Sequence, residues 1–270
     1  MAAPPVHFTV EFRKQMARLS PRQRHDWLTS LASELGGAGS PVESPDPVRA
    51  QELREVARGC RLALVESVAR HLGPFDDRYL QALLEVPRER FVRADDVRRS
   101  ADDSPLPLDT EGLATISAPH AYLLSFRLLA LAPGDSLVEL GTGSGYGAAL
   151  AAFIVGPRGH VLTVEIDPVL VAWARRTLSA EPAVTVFEGD AVTSAQTLMH
   201  RPGRGATKVV VTFGIATWPE AWLDALPDGG KIVAPVGDAD QRLVLAVRKQ
   251  GRIVQTDHGA VRYVRNRSLR

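Results

Sequence analysis

Cysteine is nearly absent from this sequence, since Cys60 is the one cysteine among 270 residues. A single thiol cannot form a disulfide within the chain, which excludes the disulfide-rich secreted scaffolds and favours a reducing compartment. The 7 histidines are scattered, without the paired spacing that a structural zinc site uses. We therefore predict that the protein binds no metal.

Long apolar runs and an excess of charge of one sign are missing as well. No stretch approaches the roughly 18 to 20 apolar residues of a membrane helix, and the first residues lack a basic segment followed by an apolar run. Lys and Arg number 32 against 31 Asp and Glu, a formal net charge of +1, so no global field attracts nucleic acid or an anionic membrane. We expect a cytoplasmic protein that binds neither.

The first part of the chain is predicted to be a helical extension. Apolar residues recur at three- and four-residue intervals from about residue 8 to residue 35, and the Gly-, Pro- and Ser-rich segment 36–47 follows as a linker. We therefore divide the chain into 1–47, the extension and linker, and 48–270, the catalytic domain. The extension could recognise a substrate or mediate dimerisation, and the sequence does not give the oligomeric state.

Beyond residue 134, short apolar runs alternate with helical patterns. The predicted strands cover 136–140, 160–166, 184–188, 208–213, 231–236 and 243–249, with a further strand pair near 252–264. The predicted helices cover 146–155, 168–180 and 218–226. Strands separated by helices imply a three-layer α/β sandwich with a mostly parallel sheet. The last strands follow one another without a helix, which predicts an antiparallel hairpin at the sheet edge.

The strongest functional signal is the segment ELGTGSGYG at 139–147. It follows an apolar strand and opens a helix, and its glycines allow tight turns and close approach to a ligand at the carboxyl end of that strand. Glu165 ends the next predicted strand about 20 residues later, the spacing at which a carboxylate meets ribose hydroxyls. Together these features predict a nucleoside-type cofactor.

The pattern E-x-G-x-G-x-G resembles the first motif of class I methyltransferases, whereas dinucleotide loops usually read G-x-G-x-x-G. The resemblance implies a Rossmann-like fold with S-adenosyl-L-methionine as the cofactor. By this resemblance Glu139 lies near the methionine amino group, Glu165 binds the ribose and Asp190 lies beside the adenine; alternatively, Glu139 and Asp190 are only turn and cap residues. The implied cofactor-binding residues are Glu139, Gly141, Thr142, Gly143, Gly145, Glu165, Ile166, Asp190 and Ala191.

Three further segments resemble the protein-L-isoaspartate O-methyltransferase family: VPRERFV at 86–92, ATISAPH at 114–120 and GGKIVAPVG at 229–237. The resemblance runs from about residue 70 to the C-terminus. It implies methylation of the carboxylate of L-isoaspartyl residues in proteins or peptides, followed by succinimide formation and repair. Such a carboxylate is ionised at neutral pH and needs no general base, so alignment and exclusion of water are the main tasks.

The same resemblance assigns the catalytic residues. Ser117 corresponds to the active-site hydroxyl, Thr115 and Ile116 flank the cofactor and the substrate carboxylate, and Asp103 occupies the position of the acidic turn residue. Ser117 could instead, or in addition, be a helix N-cap ahead of Pro119.

The sequence departs from the family at three places. Phe213, Trp218 and Trp222 stand where small residues are usual, which would change the wall of the acceptor cleft. Alternatively, the two tryptophans have an ordinary packing role in the core or on the surface. VRNR at 264–267 replaces a closing V-P-L-T loop, which puts its lid contacts in doubt. Tyr122 stands where related enzymes often have a histidine or another residue close to the cofactor. Two alternatives therefore remain: a tailoring enzyme for one aspartate of a ribosomal natural-product precursor peptide, and a non-catalytic S-adenosylmethionine-binding scaffold.

Overall fold

The computed structural model describes residues 47–73, 76–201 and 206–267, with side chains from residue 58 onward. The predicted helical extension therefore lies outside the described residues, except for Pro47, and stays a prediction. Two helices precede the core, α1 (Pro47–Leu72) and α2 (Asp77–Glu85). The Asp76 carboxylate begins α2 because it accepts a hydrogen bond from the amide of Arg78 at 2.9 Å.

A loop region connects α2 to the main sheet. It contains two 3₁₀ turns, Arg88–Arg90 and Ala94–Arg99, and a small antiparallel pair formed by β1 (Leu106–Pro107) and β2 (Thr115–Ile116). Helix α3 (Pro119–Leu129) follows directly. It begins at Pro119, whose fixed φ and missing amide suit the first helical position.

A seven-stranded sheet forms the centre of the described structure, in the order β5-β4-β3-β6-β7-β8-β9. Its strands are β3 (Ser136–Leu140), β4 (His160–Glu165), β5 (Val184–Glu188), β6 (Lys208–Val211), β7 (Lys231–Val236), β8 (Arg242–Lys249) and β9 (Arg252–Ala260). The first five strands in this order, β5, β4, β3, β6 and β7, pair in parallel. β8 pairs antiparallel with both β7 and β9. The predicted mostly parallel sheet with an antiparallel edge is thus confirmed.

The helices between the strands are α4 (Tyr146–Val155), α5 (Pro168–Thr177), α6 (Ala191–Met199) and α7 (Glu220–Ala225). Helix α6 was not predicted, and the strand pair expected near 252–264 is wrong, because β9 is one strand that pairs with β8. None of the described helices is long and apolar enough to cross a membrane.

Apolar side chains alternate between the two faces of the sheet, which produces two cores. Leu137 and Val161 belong to the core beneath α1 to α4, whereas Val138 and Leu162 belong to the core beneath α6 and α7. The predicted three-layer α/β sandwich therefore has apolar packing on both faces of its sheet, as parallel strands require.

Candidate active site

A cavity of about 670 Å³, including its open mouth, lies at the carboxyl ends of β3, β4 and β6. The strand order reverses between β3 and β6, and open α/β sheets bind ligands at such a reversal. Of the residues that the sequence placed at the site, those lining the cavity are Thr115, Ile116, Tyr122, Gly141, Thr142, Gly143, Glu165, Ile166 and Ala191. Ser117, Asp103, Glu139, Gly145 and Asp190 lie outside the lining.

The glycine-rich loop after β3 depends on backbone conformations that other residues adopt rarely. Gly141 and Gly145 have φ angles of 98° and 96°, which confirms the tight turns. A Cβ on Gly141 would lie 2.3 Å from Thr212 Oγ1, and one on Gly145 would lie 2.7 Å from Leu178 Cδ1. Close packing of the loop on the protein itself therefore requires glycine at both positions.

Glu165 is the most completely positioned polar side chain of the cavity. Its Oε2 accepts a hydrogen bond from the amide of Gly143 at 2.8 Å, and its Oε1 accepts from the amides of Ile166 at 3.0 Å and Asp167 at 3.1 Å. A carboxylate offers about four acceptor positions. The backbone uses three of them, which leaves one on Oε2 for a donor from a ligand.

A buried chain of polar groups lies behind the loop. The Thr163 hydroxyl donates to Glu139 Oε2 at 2.7 Å, and the Thr142 hydroxyl lies 2.7 Å from the Thr163 oxygen. A hydroxyl oxygen accepts as well as donates, so the three side chains form one continuous chain of hydrogen bonds, in which either threonine can be the donor between Thr142 and Thr163. Burial raises the pKa of Glu139 to about 8, although the Thr163 hydrogen bond opposes this shift. Thr142 thereby connects the cavity to Glu139, which itself lies outside the lining.

Ser144 is a lining residue that the sequence reasoning did not select. Its Oγ is buried and has no hydrogen-bond partner in the described part of the chain. A buried hydroxyl without a partner is unfavourable by about 1 to 3 kcal/mol. This cavity therefore suits a ligand with a polar group near Ser144. The signal was present, because Ser144 lies inside the quoted loop motif.

Asp190 does not line the cavity, and its carboxylate accepts from the amide of Val192 at 2.8 Å at the start of α6. It is an N-cap, as the alternative interpretation held, and its role beside an adenine stays a prediction.

Ser117 lies directly after the lining residues of β2. It is 8% exposed, and its amide donates to the Tyr122 hydroxyl at 3.1 Å. The N-cap of α3 is Ala118, without a side-chain hydrogen bond, so the N-cap interpretation of Ser117 is wrong. Burial raises the pKa of Tyr122 to about 12, which keeps this hydroxyl neutral.

Arg88 fixes the loops around Ser117. The guanidinium donates to the carbonyl oxygens of Ser100 at 3.1 Å, Asp102 at 2.7 Å, Ser104 at 2.7 Å and Ser117 at 3.3 Å. The side chain is fully buried, and burial lowers its pKa. Arg88 therefore joins the 100–104 loop to the segment that carries Ser117.

Asp103 lies in that loop and binds the beginning of α3. Its Oδ1 accepts from the His120 amide at 3.0 Å and from His120 Nδ1 at 2.9 Å, and the His71 ring stacks on His120 at 4.8 Å. Burial by itself would raise the pKa of Asp103, yet the hydrogen bonds and charge of His120 outweigh burial and hold it below its usual value. Asp103 thus has a structural contact, and its catalytic role stays a prediction.

We expect Asp103→Asn to lower the free energy of unfolding by about 1 kcal/mol at pH 7. Because the folded pKa is depressed, the stabilisation is present above the unfolded pKa of about 4 and is lost as the pH falls through the folded pKa. Urea unfolding at pH 7 and near pH 3 measures this. Asp102→Asn, at an exposed neighbour, is the control. A deficit of equal size at both pH values would contradict the ionic role.

The aromatic departures from the family lie in three different environments. Phe213 lines the cavity. Trp218 does not line it, and its Nε1 donates to Gln255 Oε1 on β9 at 3.0 Å. Trp222 is fully buried in the core under α6 and α7, so the prediction that it changes the cleft wall is wrong. Phe213 alone of the three lines the cavity.

Residues 264–267 line the same cavity as the glycine loop. The Gly214 amide donates to the Val264 carbonyl at 2.7 Å, and the Asn266 amide donates to the Gly214 carbonyl at 3.1 Å. This segment therefore reaches the cavity without the proline and threonine that the family pattern has there.

Comparison with known proteins agrees with these features. A family model described as Protein-L-isoaspartate(D-aspartate) O-methyltransferase (PCMT) matches residues 61–269. The protein-L-isoaspartate O-methyltransferase of Methanopyrus kandleri is 38% identical over 216 residues, which cover 78% of this chain and 92% of that protein. The protein of the same name from Pyrobaculum arsenaticum is 36% identical and covers 74% of this chain and 95% of its own.

Solved structures give the same fold. One protein-L-isoaspartate O-methyltransferase matches with a TM-score of 0.67 and 25% identity, and the match covers 76% of this chain and 65% of that one, slightly less than two thirds. A Plasmodium falciparum structure described as a beta-aspartate methyltransferase (PCMT) in complex with S-adenosyl-L-homocysteine matches with a TM-score of 0.65 and 22% identity, covering 76% of this chain and 96% of that one.

Proposed function

Because this chain belongs to the protein-L-isoaspartate(D-aspartate) O-methyltransferase family, we propose that it transfers the methyl group of S-adenosyl-L-methionine to the carboxylate of L-isoaspartyl residues in proteins or peptides. The observation that carries this proposal is the cavity at the strand reversal, which is lined by Glu165, the glycine loop and the β2 residues Thr115 and Ile116. We assign Glu165 and the glycine loop to the nucleoside cofactor, and the segment around Thr115 and Ile116 to the acceptor carboxylate.

The cavity residues suit S-adenosylmethionine. Glu165 keeps one acceptor position for a ribose hydroxyl, and Ser144 offers a buried hydroxyl that needs a partner. Ile166 and Leu170 supply apolar wall for an adenine ring. When bound, the cofactor supplies a methyl group on a positively charged sulfur, which a carboxylate oxygen can attack directly.

The acceptor side needs to align and desolvate a carboxylate that is already ionised. We assign the Ser117 hydroxyl as the donor that holds this carboxylate. Arg88 and Tyr122 fix the Ser117 main chain on two sides, through its carbonyl and its amide. Methylation converts the carboxylate into a methyl ester, whose carbonyl carbon the neighbouring backbone nitrogen of the substrate can attack. The bond to the methoxy group breaks, methanol leaves with the nitrogen's proton, and a succinimide closes.

Methyl transfer from labelled S-adenosylmethionine to two matched peptides, one with isoaspartate and one with aspartate, tests the proposal. Calorimetric titration with S-adenosylhomocysteine accompanies it. Transfer to the isoaspartyl peptide alone is the expected result. Transfer only to aspartate would overturn it in favour of peptide tailoring. Cofactor binding with no transfer to either peptide would overturn it in favour of a non-catalytic scaffold.

We expect Ser117→Ala to lower kcat/KM for the isoaspartyl peptide about 10- to 50-fold, the loss of one hydrogen bond to a charged group. The affinity for S-adenosylhomocysteine should stay within about twofold, because Ser117 does not line the cofactor cavity. Ser125→Ala is the matched control, since the Ser125 hydroxyl donates to the Ala121 carbonyl within α3. Unchanged methyl transfer by Ser117→Ala would remove this residue from the catalytic site.

A further inference from the structure

Arg267 joins two parts of the cavity rim through two ion pairs. One guanidinium nitrogen lies 2.6 Å from Asp167 Oδ2, and the other lies 2.7 Å from Asp109 Oδ2. Asp167 follows the lining residues Glu165 and Ile166, whereas Asp109 belongs to the loop that leads into the lining residues of β2. Arg267 itself ends the lining segment 264–267. One side chain therefore connects three segments around the cavity.

Both carboxylates are fixed independently of Arg267. Asp109 Oδ1 accepts from the Leu113 amide at 2.9 Å. Asp167 Oδ1 accepts from the Val169 amide at 2.8 Å and caps α5. Each aspartate thus uses one oxygen to shape its own segment and presents the other to the arginine. Two prepositioned acceptors reduce the conformational entropy that Arg267 loses for each ion pair.

The main chain of the 264–267 segment is anchored at Gly214, through hydrogen bonds to Val264 and Asn266. Loss of the Arg267 contacts would leave the Gly214–Val264 hydrogen bond in place and release the end that lies against Asp109 and Asp167, so the adjacent Asn266–Gly214 hydrogen bond would open more often. The Gly214 hydrogen bonds therefore set where the segment lies along the sheet, and the Arg267 ion pairs set whether it closes across the cavity.

We propose that Arg267 is a clasp that closes the 264–267 segment over the cofactor and slows its release. This inference rests on the proposed function and assigns Arg267 as a positioning residue for the nucleoside cofactor. The clasp is ionic and its three side chains are 22% to 25% exposed. Salt therefore screens it in part.

The test measures the dissociation rate of S-adenosylhomocysteine by stopped-flow displacement at low and high salt. We expect Arg267→Gln to raise this rate about 10-fold at low salt. In the wild type, high salt should raise the rate toward that of the variant, whereas the variant should respond little. Arg267→Lys should give an intermediate rate, because one ammonium cannot reproduce the two-pronged contact.

Two further variants sharpen the assignment. Asp167→Asn keeps an oxygen to cap α5 but loses the charge, so it should raise the dissociation rate, and adding it to Arg267→Gln should add little. Arg242→Gln is the control, since Arg242 pairs with Asp257 at 2.8 Å in an exposed ion pair between β8 and β9, outside the cavity lining. Its dissociation rate should match the wild type.

Hydrogen exchange gives a readout without cofactor, because the Asn266 amide should exchange faster in Arg267→Gln as the segment opens. Failure of the wild type to bind S-adenosylhomocysteine would overturn the proposed function. Normal binding with an unchanged dissociation rate in Arg267→Gln would overturn the clasp alone. A lower melting temperature with no change in dissociation would assign Arg267 to stability only.

Discussion

Replacement of Glu165 by glutamine is expected to weaken S-adenosylhomocysteine binding about 100-fold. Both carboxylate oxygens face backbone donors, with Gly143 on one side and Ile166 and Asp167 on the other. A glutamine has one oxygen and one NH₂ group, so its NH₂ must face an N–H donor on one side. The variant loses the charged acceptor for a ribose hydroxyl and the shape of the loop together, a combined effect of about 3 kcal/mol.

Calorimetric titration of wild type and variant with S-adenosylhomocysteine measures this effect. Glu188→Gln is a matched control, because Glu188 ends the neighbouring strand opposite Glu165 but is exposed and lies outside the cavity lining. The control should bind like the wild type. An affinity of Glu165→Gln within about threefold of the wild type would place the cofactor ribose elsewhere.

The strands were predictable because a parallel sheet buried on both faces leaves continuous apolar runs in the sequence. The predicted strands 136–140, 184–188 and 231–236 agree with the structure residue for residue. Helix α6 was missed because its small and polar residues give a weak pattern, and because Asp190 was assigned to a ligand while it caps that helix. Local motifs can thus hide a second, structural role of the same side chain.

The strand pair near 252–264 was a wrong prediction with a physical cause. Gly259 has a φ of 109°, and the segment around it resembles a turn in the sequence. In the structure, the pairing of β8 and β9 shifts register between Arg242 and Val244, a β-bulge or irregularity opposite this segment. Glycine therefore marks an irregularity inside one strand here, which a pattern of two-residue alternation cannot distinguish from a turn.

Parts of the candidate site were predictable when their residues were close in sequence or at a characteristic spacing, as in the glycine loop and Glu165. The contacts that hold the site together were not predictable. Arg88 reaches Ser117 across 29 residues, and Arg267 reaches Asp109 across 158. No spacing rule connects such pairs, because the fold alone decides that they meet. The contact made by Arg267 was not predictable for the same reason. Comparison with the family's V-P-L-T loop showed which residues were absent, but not which contact took their place.

Arg88→Met is expected to lower the free energy of unfolding by about 3 kcal/mol. Methionine fills a similar length but donates no hydrogen bond, so the carbonyl oxygens that Arg88 binds in the 100–104 loop and at Ser117 lose their donor. Removing one partner from a buried polar group is costly, because the groups left behind stay away from water.

Urea denaturation of Arg88→Met, Arg88→Lys and Arg90→Met distinguishes this framework role from a general effect of positive charge. Arg90 lies in the same 3₁₀ turn but is exposed, so its variant should stay within about 0.5 kcal/mol of the wild type. Lysine at position 88 keeps the charge but cannot span the same set of carbonyl oxygens, and an intermediate loss is expected. If Arg88→Lys were as stable as the wild type, the charge and not the hydrogen-bonding fork would hold the Ser117 segment in place.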